Sequence, residues 1–393
     1  NGVNGASESR LPTRRQIWVS DESPQASLSS LQVTLFLTKR DYIDHVTHVD
    51  PIEGVLVFDP SCVQERNVYV QIALSFRFGR EDDESMGYNF TKTMYLHTTQ
   101  LYPPVKEFVP SEIQRNLISK LGNFAFPFLM EFPKLSSPSY VMQQGWEDEG
   151  SLMGVEFEVM GYVGATEHDM PKRSTARLLI RRLQECPKQM YEAPVPRGNI
   201  TKSFLTTAGN VSIEASLSKP VYEPEEDIPV KIAIRNDTNR DIKRLKMKVV
   251  QLSEVPMFSD RQTRDKTIIK YDDPINLAPG ACTTRGVTLM CCVPSRTARG
   301  KVFLQGGLRA DCDDVIAPTT ILNPEVDKND VFGVYVSYVV RVKASLGTLR
   351  GDCILDIPFV LAVPQEDQNQ AFQFKSLLND LQKITLHDLC TSH

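Results

Sequence analysis

VTLFLTKRDY, residues 33–42, reads as a β-strand running into a turn of charges. Val33, Leu35 and Leu37 alternate with Thr34, Phe36 and Thr38. That period of two places one set of side chains on each face of an extended chain. The ending returns in the second half of the chain: LSKPVY, residues 217–222, repeats the Leu-x-Lys-x-x-Tyr spacing after the alternating run VSIEASL, residues 211–217. In each half an acidic, proline-containing turn and another apolar strand follow. The repetition predicts two similar β-sandwiches in tandem.

The rest of the chain extends the pattern. GVLVF (54–58), VYVQIALSFRF (68–78), GVEFEVMGYV (154–163), ARLLIRRL (176–183), IPVKIAIRN (228–236), LKMKVVQL (245–252), GVTLMCCV (286–293), GVYVSYVVRVKASL (333–346) and ILDIPFVLAV (354–363) all read as strands. Turn residues punctuate them at the short spacing of sandwiches. One segment departs: PSEIQRNLISKLG (110–122) places Ile113, Leu117 and Leu121 at four-residue spacing, with a Ser111/Gln114 capping box and Gly122 as the stop. This is a short amphipathic helix laid on a sandwich face. Residues 186–203, rich in proline and without apolar periodicity, read as a linker. Beyond the polar PQEDQNQ at 364–370, isolated apolar residues return, the pattern of a tail that docks onto something.

Composition narrows the function. A length of 393 residues suggests two or three domains, and a net charge of −5 offers no global field toward nucleic acid or membrane. No run of about 18 apolar residues predicts a membrane span. The polar amino-terminal stretch lacks the apolar core of a secretory signal, so the chain reads as cytosolic. The 8 cysteines include no CxxC pair and read as buried thiols rather than a disulfide framework. Sequons at Asn89, Asn199, Asn210 and Asn236 would matter only in a secreted adhesion-type sandwich pair.

The charges around residue 41 admit three readings. Asp44, His45, His48 and Asp50 offer metal-ligand chemistry, but residues three apart on a strand point to opposite faces. No metal is expected. Nor is catalysis: no phosphate loop, nucleophile elbow or zinc-protease motif is present. The third reading is a buried ion-pair network. Arg177, the first charge inside its strand, needs carboxylates if it leaves water. Asp41 and the acidic run ADCDD (310–314) are candidates from the two halves. A polyanion could pull such a network apart, since guanidinium binds phosphate bidentately.

Several motifs together resemble the arrestin family over nearly the whole chain. They are TKRDYIDH (38–45), FRFGRED with MGYNFTK (76–92), LISKLG and FAFPF (117–128), KRSTARLLIRRLQECP (172–187), NDTNRDIKRLKMKVVQ (236–251) and GVYVSYVVRVKASL (333–346). The resemblance implies an all-β chain of two tandem antiparallel immunoglobulin-like sandwiches, one short helix in the first, and a docked carboxy-terminal tail. The expected divisions are a flexible start (1–15), a first sandwich (16–187), a hinge (188–202), a second sandwich (203–363) and a regulatory tail (364–393).

It also implies a non-enzymatic function: binding an activated, phosphorylated G-protein-coupled receptor, rhodopsin-like, from the cytoplasm and ending its signalling. Arg177 would be the phosphate sensor in a polar core with Asp41 and Asp313, Asp311 and Asp314 being alternatives to the last. Arg40, Arg77, Arg80, Lys120 and Arg309 would line a phosphate path. Met86, Gly87 and Tyr88 would form the receptor-entering finger loop. Ile113, Leu117 and Leu121 would meet Phe372 and Phe374 of the tail, with Ile17 or Trp18 as a third element. Lys243, Arg244, Lys246 and Lys248, with Arg341 and Lys343, would hold an inositol phosphate or phosphoinositide.

The chain also departs from the family's pattern. Val19 and Ser20 stand where two lysines are usual, leaving Arg14 and Arg15 to substitute. Gln305 replaces a core carboxylate, and the tail arginine has only Lys375 or Lys383 as counterparts. Lower phosphate dependence is the expectation. FKSLLNDLQK (374–383) partly resembles an endocytic-adaptor motif, so a trafficking scaffold of the wider clan is the nearest alternative.

Overall fold

A computed structural model describes residues 18–19, 33–78, 90–143, 154–204, 207–257, 260–295, 302–306, 315–346 and 351–363. The first half contributes β1 (Trp18–Val19), β2 (Val33–Leu37), β3 (Asp41–Asp44), β4 (Ile52–Phe58), β5 (Asn67–Phe78), β6 (Phe90–Tyr102), β7 (Ala125–Met130), β8 (Tyr140–Met142), β9 (Gly154–Gly164) and β10 (Thr175–Gln184). The second contributes β11 (Arg197–Phe204), β12 (Thr207–Leu217), β13 (Val221–Tyr222), β14 (Asp227–Asn236), β15 (Arg244–Met257), β16 (Asp260–Asp273), β17 (Cys282–Met290), β18 (Phe303–Gln305), β19 (Tyr335–Ser345) and β20 (Asp352–Leu361).

These strands form two sandwiches. In the first, the sheet β1-β2-β4-β7 faces a larger one in which β8, β9, β10 and β3 are neighbours and β5 and β6 extend from β9. In the second, β11-β12-β14-β17 faces β13-β20-β19-β15-β16. One cluster of buried apolar residues runs from Val33 and Leu35 through Tyr140 and Phe303 to Tyr338 and Leu361, so the core is continuous across the two halves.

The expected helix is α1 (Glu112–Leu121), and its capping box is complete. Leu117 is buried against Phe36, Val55 and Ala125, with Ile113 and Leu121 packed beside it. Gln114 does more than cap. Its fully buried amide donates to the carbonyls of Gly54 (2.9 Å) and Phe128 (2.8 Å), tying α1 to β4 and β7. The proline-rich stretch holds less linker than its composition suggests. A one-turn helix, α2 (Lys188–Tyr191), precedes β11, which already pairs with β12 along the edge of the second sandwich. Both faces of this edge strand are largely exposed, so it carries no apolar period to read.

The halves are joined by more than a hinge. β18, from the second half, pairs antiparallel with β8 of the first: Phe303 with Met142, Leu304 with Val141, Gln305 with Tyr140. Gln251 on β15 holds β18 from behind, donating to the Phe303 carbonyl (2.9 Å) and accepting its amide (2.7 Å). The Tyr140 hydroxyl donates to the Pro318 carbonyl (3.0 Å). Ser137 and Leu135 exchange backbone hydrogen bonds with Phe332. Gly333 follows at φ +123, where an added Cβ would collide with the Ser137 hydroxyl.

Of the described thiols, Cys186, Cys291 and Cys353 are buried, Cys292 is half-buried and Cys282 is exposed. Burial pushes the Cys291 thiol up to about 12. Asn236, in one of the sequons, is fully buried and donates to the carbonyls of Arg240, Leu277 and Ala278. A glycan there would destroy that turn, so this sequon is closed to glycosylation in the folded chain.

Candidate functional site at the seam

The site lies where β3 runs parallel to β10. Arg181 is level with Asp41, Arg182 with Tyr42, Leu183 with Ile43 and Gln184 with Asp44. Successive side chains on a strand face opposite ways, so the neighbouring arginines emerge on different sides. Each meets its own aspartate.

On one side, Arg181 grips Asp41 with two hydrogen bonds, Nε to Oδ1 at 2.7 Å and Nη2 to Oδ2 at 2.6 Å. Its remaining nitrogen, Nη1, donates to the Gly306 carbonyl at 3.2 Å, beyond the end of β18. One guanidinium therefore holds both halves of the chain. The arginine side chain is 23% exposed and the aspartate 42%.

On the other side the pair is sealed, with Arg182 5% and Asp44 3% exposed. Arg182 donates to Asp44 Oδ2 from Nε (3.1 Å) and Nη2 (2.8 Å). Its Nη1 donates to the Pro133 carbonyl (3.1 Å) and to the Ser136 hydroxyl. Asp44 also accepts the Val46 amide (2.8 Å) and the Gln184 amide group (3.2 Å). Gln184 in turn exchanges two 2.7 Å hydrogen bonds with the backbone of Ile321 in the second half.

The expected partnership of Arg177 with Asp41 is therefore corrected. Arg177 pairs with Glu158 across β9–β10 at 3.0 Å, on a face where it is 46% exposed. Register explains the difference. Arg177 and Arg181 share a face but sit four residues apart, about 13 Å along the strand. Only Arg181 is level with Asp41. An arginine–aspartate pair does hold the seam, but it is centred four residues later, in LLIRRLQ (178–184), and the second-half carboxylates expected to join it lie outside the described residues.

The histidines also find local partners. His45 lies between Glu185 (Nδ1 to Oε2, 2.5 Å) and Asp50 (Nε2 to Oδ1, 3.3 Å) and stacks on His48 with ring centroids 4.7 Å apart. Burial would raise the Asp50 carboxyl, but the hydrogen bond and charge of Lys39, with the Ile43 amide and His45, hold it below the usual range. Among the described residues no cluster of three or more His, Cys, Asp or Glu side chains is arranged for a metal ion.

Of the expected phosphate path, Arg40 donates from Nε to the Leu179 carbonyl at 2.7 Å, beside the Arg181 strand. Lys120 lies in the last turn of α1. Arg77 stands by Glu156, whose carboxyl is raised by burial despite that guanidinium, with Glu158 adding to the rise. The Arg77 Nε is buried without a hydrogen-bond partner among the described residues. Arg80, Met86, Gly87, Tyr88, Arg309, Asp311, Asp313, Asp314, Ile17, Phe372 and Phe374 lie outside the described residues, as does the Trp18 side chain.

The expected polyanion cluster is largely compensated. Arg341 is forked onto Asp356 at 2.8 Å twice and reaches Asp265 at 3.0 Å. Lys343 is paired with Asp352. Lys246 and Lys248 share the strand row between Arg341, Lys343 and the β16 residues Lys270 and Asp272.

A tandem of β-sandwiches clamped by arginine–aspartate pairs at a shared seam defines a class of two-domain β-sandwich protein. Within it, the family assignment rests on sequence comparison. The arrestin (or S-antigen) N-terminal domain matches residues 33–185, and the arrestin (or S-antigen) C-terminal domain matches residues 207–365. The arrestin homolog of Heliothis virescens is 34% identical over 339 residues, covering 85% of this chain and 88% of the relative. Phosrestin-2 of Drosophila melanogaster is 34% identical, covering 85% and 92%. Human S-arrestin is 31% identical, covering 91% and 89%. The chain belongs to the arrestin family.

Proposed function

We propose that this chain binds activated, phosphorylated G-protein-coupled receptors, rhodopsin-like ones among them, at the cytoplasmic face of the membrane and ends their signalling. Arg181, not Arg177, is the residue on which phosphate acts. The observation that carries this is its double role: the same guanidinium grips Asp41 and the Gly306 carbonyl while remaining partly open to solvent. A phosphate offers guanidinium the same planar, bidentate partner as a carboxylate, with more charge. Capturing it would release Asp41 and the second half together. Arg40 stands nearby as a further cation.

Among the described residues Asp41 is the one carboxylate that holds Arg181, and Gln305 stands where the family resemblance implies an acid. A lighter counter-charge should yield at lower phosphate density. The test is co-sedimentation with opsin-rich membranes, dark against illuminated and phosphorylated against dephosphorylated, with Arg181→Glu beside the parent chain. The expected result is light-dependent binding enhanced by phosphate in the parent and independent of phosphate in the variant. If Arg181→Glu keeps the parent's phosphate dependence, the assignment fails.

A polyphosphate such as an inositol phosphate would meet Lys246 and Lys248 on the second sandwich. It would have to compete with Asp352 and Asp356 for Lys343 and Arg341. Asp41 competes for Arg181 in the same way, but only at the seam would capture of the guanidinium also release the second half through the Gly306 carbonyl, which favours the seam as the switching site.

A further inference from the structure

The sealed pair, Arg182 with Asp44, sits one residue from the exposed pair and has a different set of attachments. Its guanidinium joins three segments. It holds the end of β3 through Asp44, and the 133–136 segment through the Pro133 carbonyl and the Ser136 hydroxyl. Through Asp44 and Gln184 it reaches the Ile321 backbone of the second half. The 133–136 segment then continues into the backbone exchange with Phe332. Every nitrogen of Arg182 is committed, and both partners are at least nine-tenths buried. No phosphate can reach this guanidinium without first displacing packed chain, and either charge left alone there would be strongly disfavoured.

We propose that Arg182 and Asp44 are positioning residues: the fixed pivot of the seam, staying closed when Arg181 releases Asp41. By holding β3 in register against β10, the pivot sets the anion concentration at which the outer pair opens. The second statement rests on the proposed reading of Arg181; the first does not. The geometry supports the division of labour because the four-residue parallel ladder has a sensor face and a sealed face. Loss of the outer pair leaves the Asp44, Gln184 and Ile321 chain of hydrogen bonds untouched.

Amide hydrogen exchange on the full chain tests this at three positions. The Gly306 amide, bonded to the Ser139 carbonyl, reports the outer side. The Val46 amide, bonded to Asp44, and the Ile321 amide, bonded to Gln184, report the pivot. In Arg181→Glu, where the outer pair is broken by charge repulsion, Gly306 exchange should rise about tenfold or more while Val46 and Ile321 stay within about twofold. Acceleration at all three positions overturns the pivot, whatever the function of Arg181.

The second arm titrates the parent and Asp44→Asn with a multiply phosphorylated serine peptide, following Gly306. The half-response should fall about tenfold in the variant. Arg182→Lys, which keeps the charge on Asp44, should lie between the two and serves also if Asp44→Asn does not fold. An unchanged half-response overturns the threshold claim. A parent chain indifferent to the peptide overturns the phosphate reading of Arg181 and the threshold with it, leaving the pivot to be judged on the first arm.

Discussion

Arg182 at the seam and Arg341 on the face of the second sandwich are both arginines forked onto aspartates inside a sheet. By contact alone Arg341 is the better paired, with two carboxylates against one. Yet Arg341 is 27% exposed and Arg182 5%. Water screens the first and is shut out from the second. What an ion pair does for a fold follows from what is left behind when it breaks, and only the sealed pair leaves a stranded charge. The lesson for reading charged sequences is that depth matters more than the number of partners.

The largest test of this contrast is Asp44→Ala, which should destabilise by about 3–5 kcal/mol, because Arg182 keeps its charge and loses its counter-ion. Denaturant unfolding checks it, and a loss below that of Arg341→Gln would break the comparison. Next comes Gln114→Ala. It removes a buried but neutral cross-link and leaves the Gly54 and Phe128 carbonyls without their amide donor, at about 1–3 kcal/mol. Thermal melting should place it between the two arginine sites. Arg341→Gln should cost at most about 1 kcal/mol, and the difference from the parent should shrink as salt is raised.

Glu156→Gln should be the smallest change and have the opposite sign. Its carboxyl is raised above 4.5 by burial, so the folded state disfavours the ionised form. The parent's stability contribution from this group is full below 4.5 and is lost as pH rises through the raised value. Glutamine removes that loss, so the variant should gain over the parent at neutral pH and match it in acid. Unfolding curves at both ends of the range decide it.

Much of this architecture is legible in the residues. The alternation of Val33, Leu35 and Leu37 and the echo of LTKRDY in LSKPVY signal tandem sandwiches, and Ser111 with Gln114 signals the helix start. The site is half legible. Asp41 and an arginine of β10 are both flagged by being charges in apolar surroundings. Which arginine meets Asp41 depends on the register of two strands far apart in the chain. Composition carries no trace of that. Nor does any local pattern tell that Asp44 is sealed, since it sits among His45, Asp50 and Lys39, where exposed charge is the natural reading. β11 and β16 escape for a simpler reason: edge strands with polar faces lack the period by which strands are recognised.

β18 has a consequence for how the protein can be divided. Family matching separates residues 33–185 from 207–365, but the hydrogen-bonded sheet does not respect that cut. Phe303, Leu304 and Gln305 close the outer edge of β8. A fragment ending at residue 185 would present that edge bare, with unpaired backbone groups beside Tyr140 and Val141, the kind of surface that recruits strands from other molecules. The first sandwich therefore borrows its last strand, and severing the two halves would trade an internal seam for a self-associating edge.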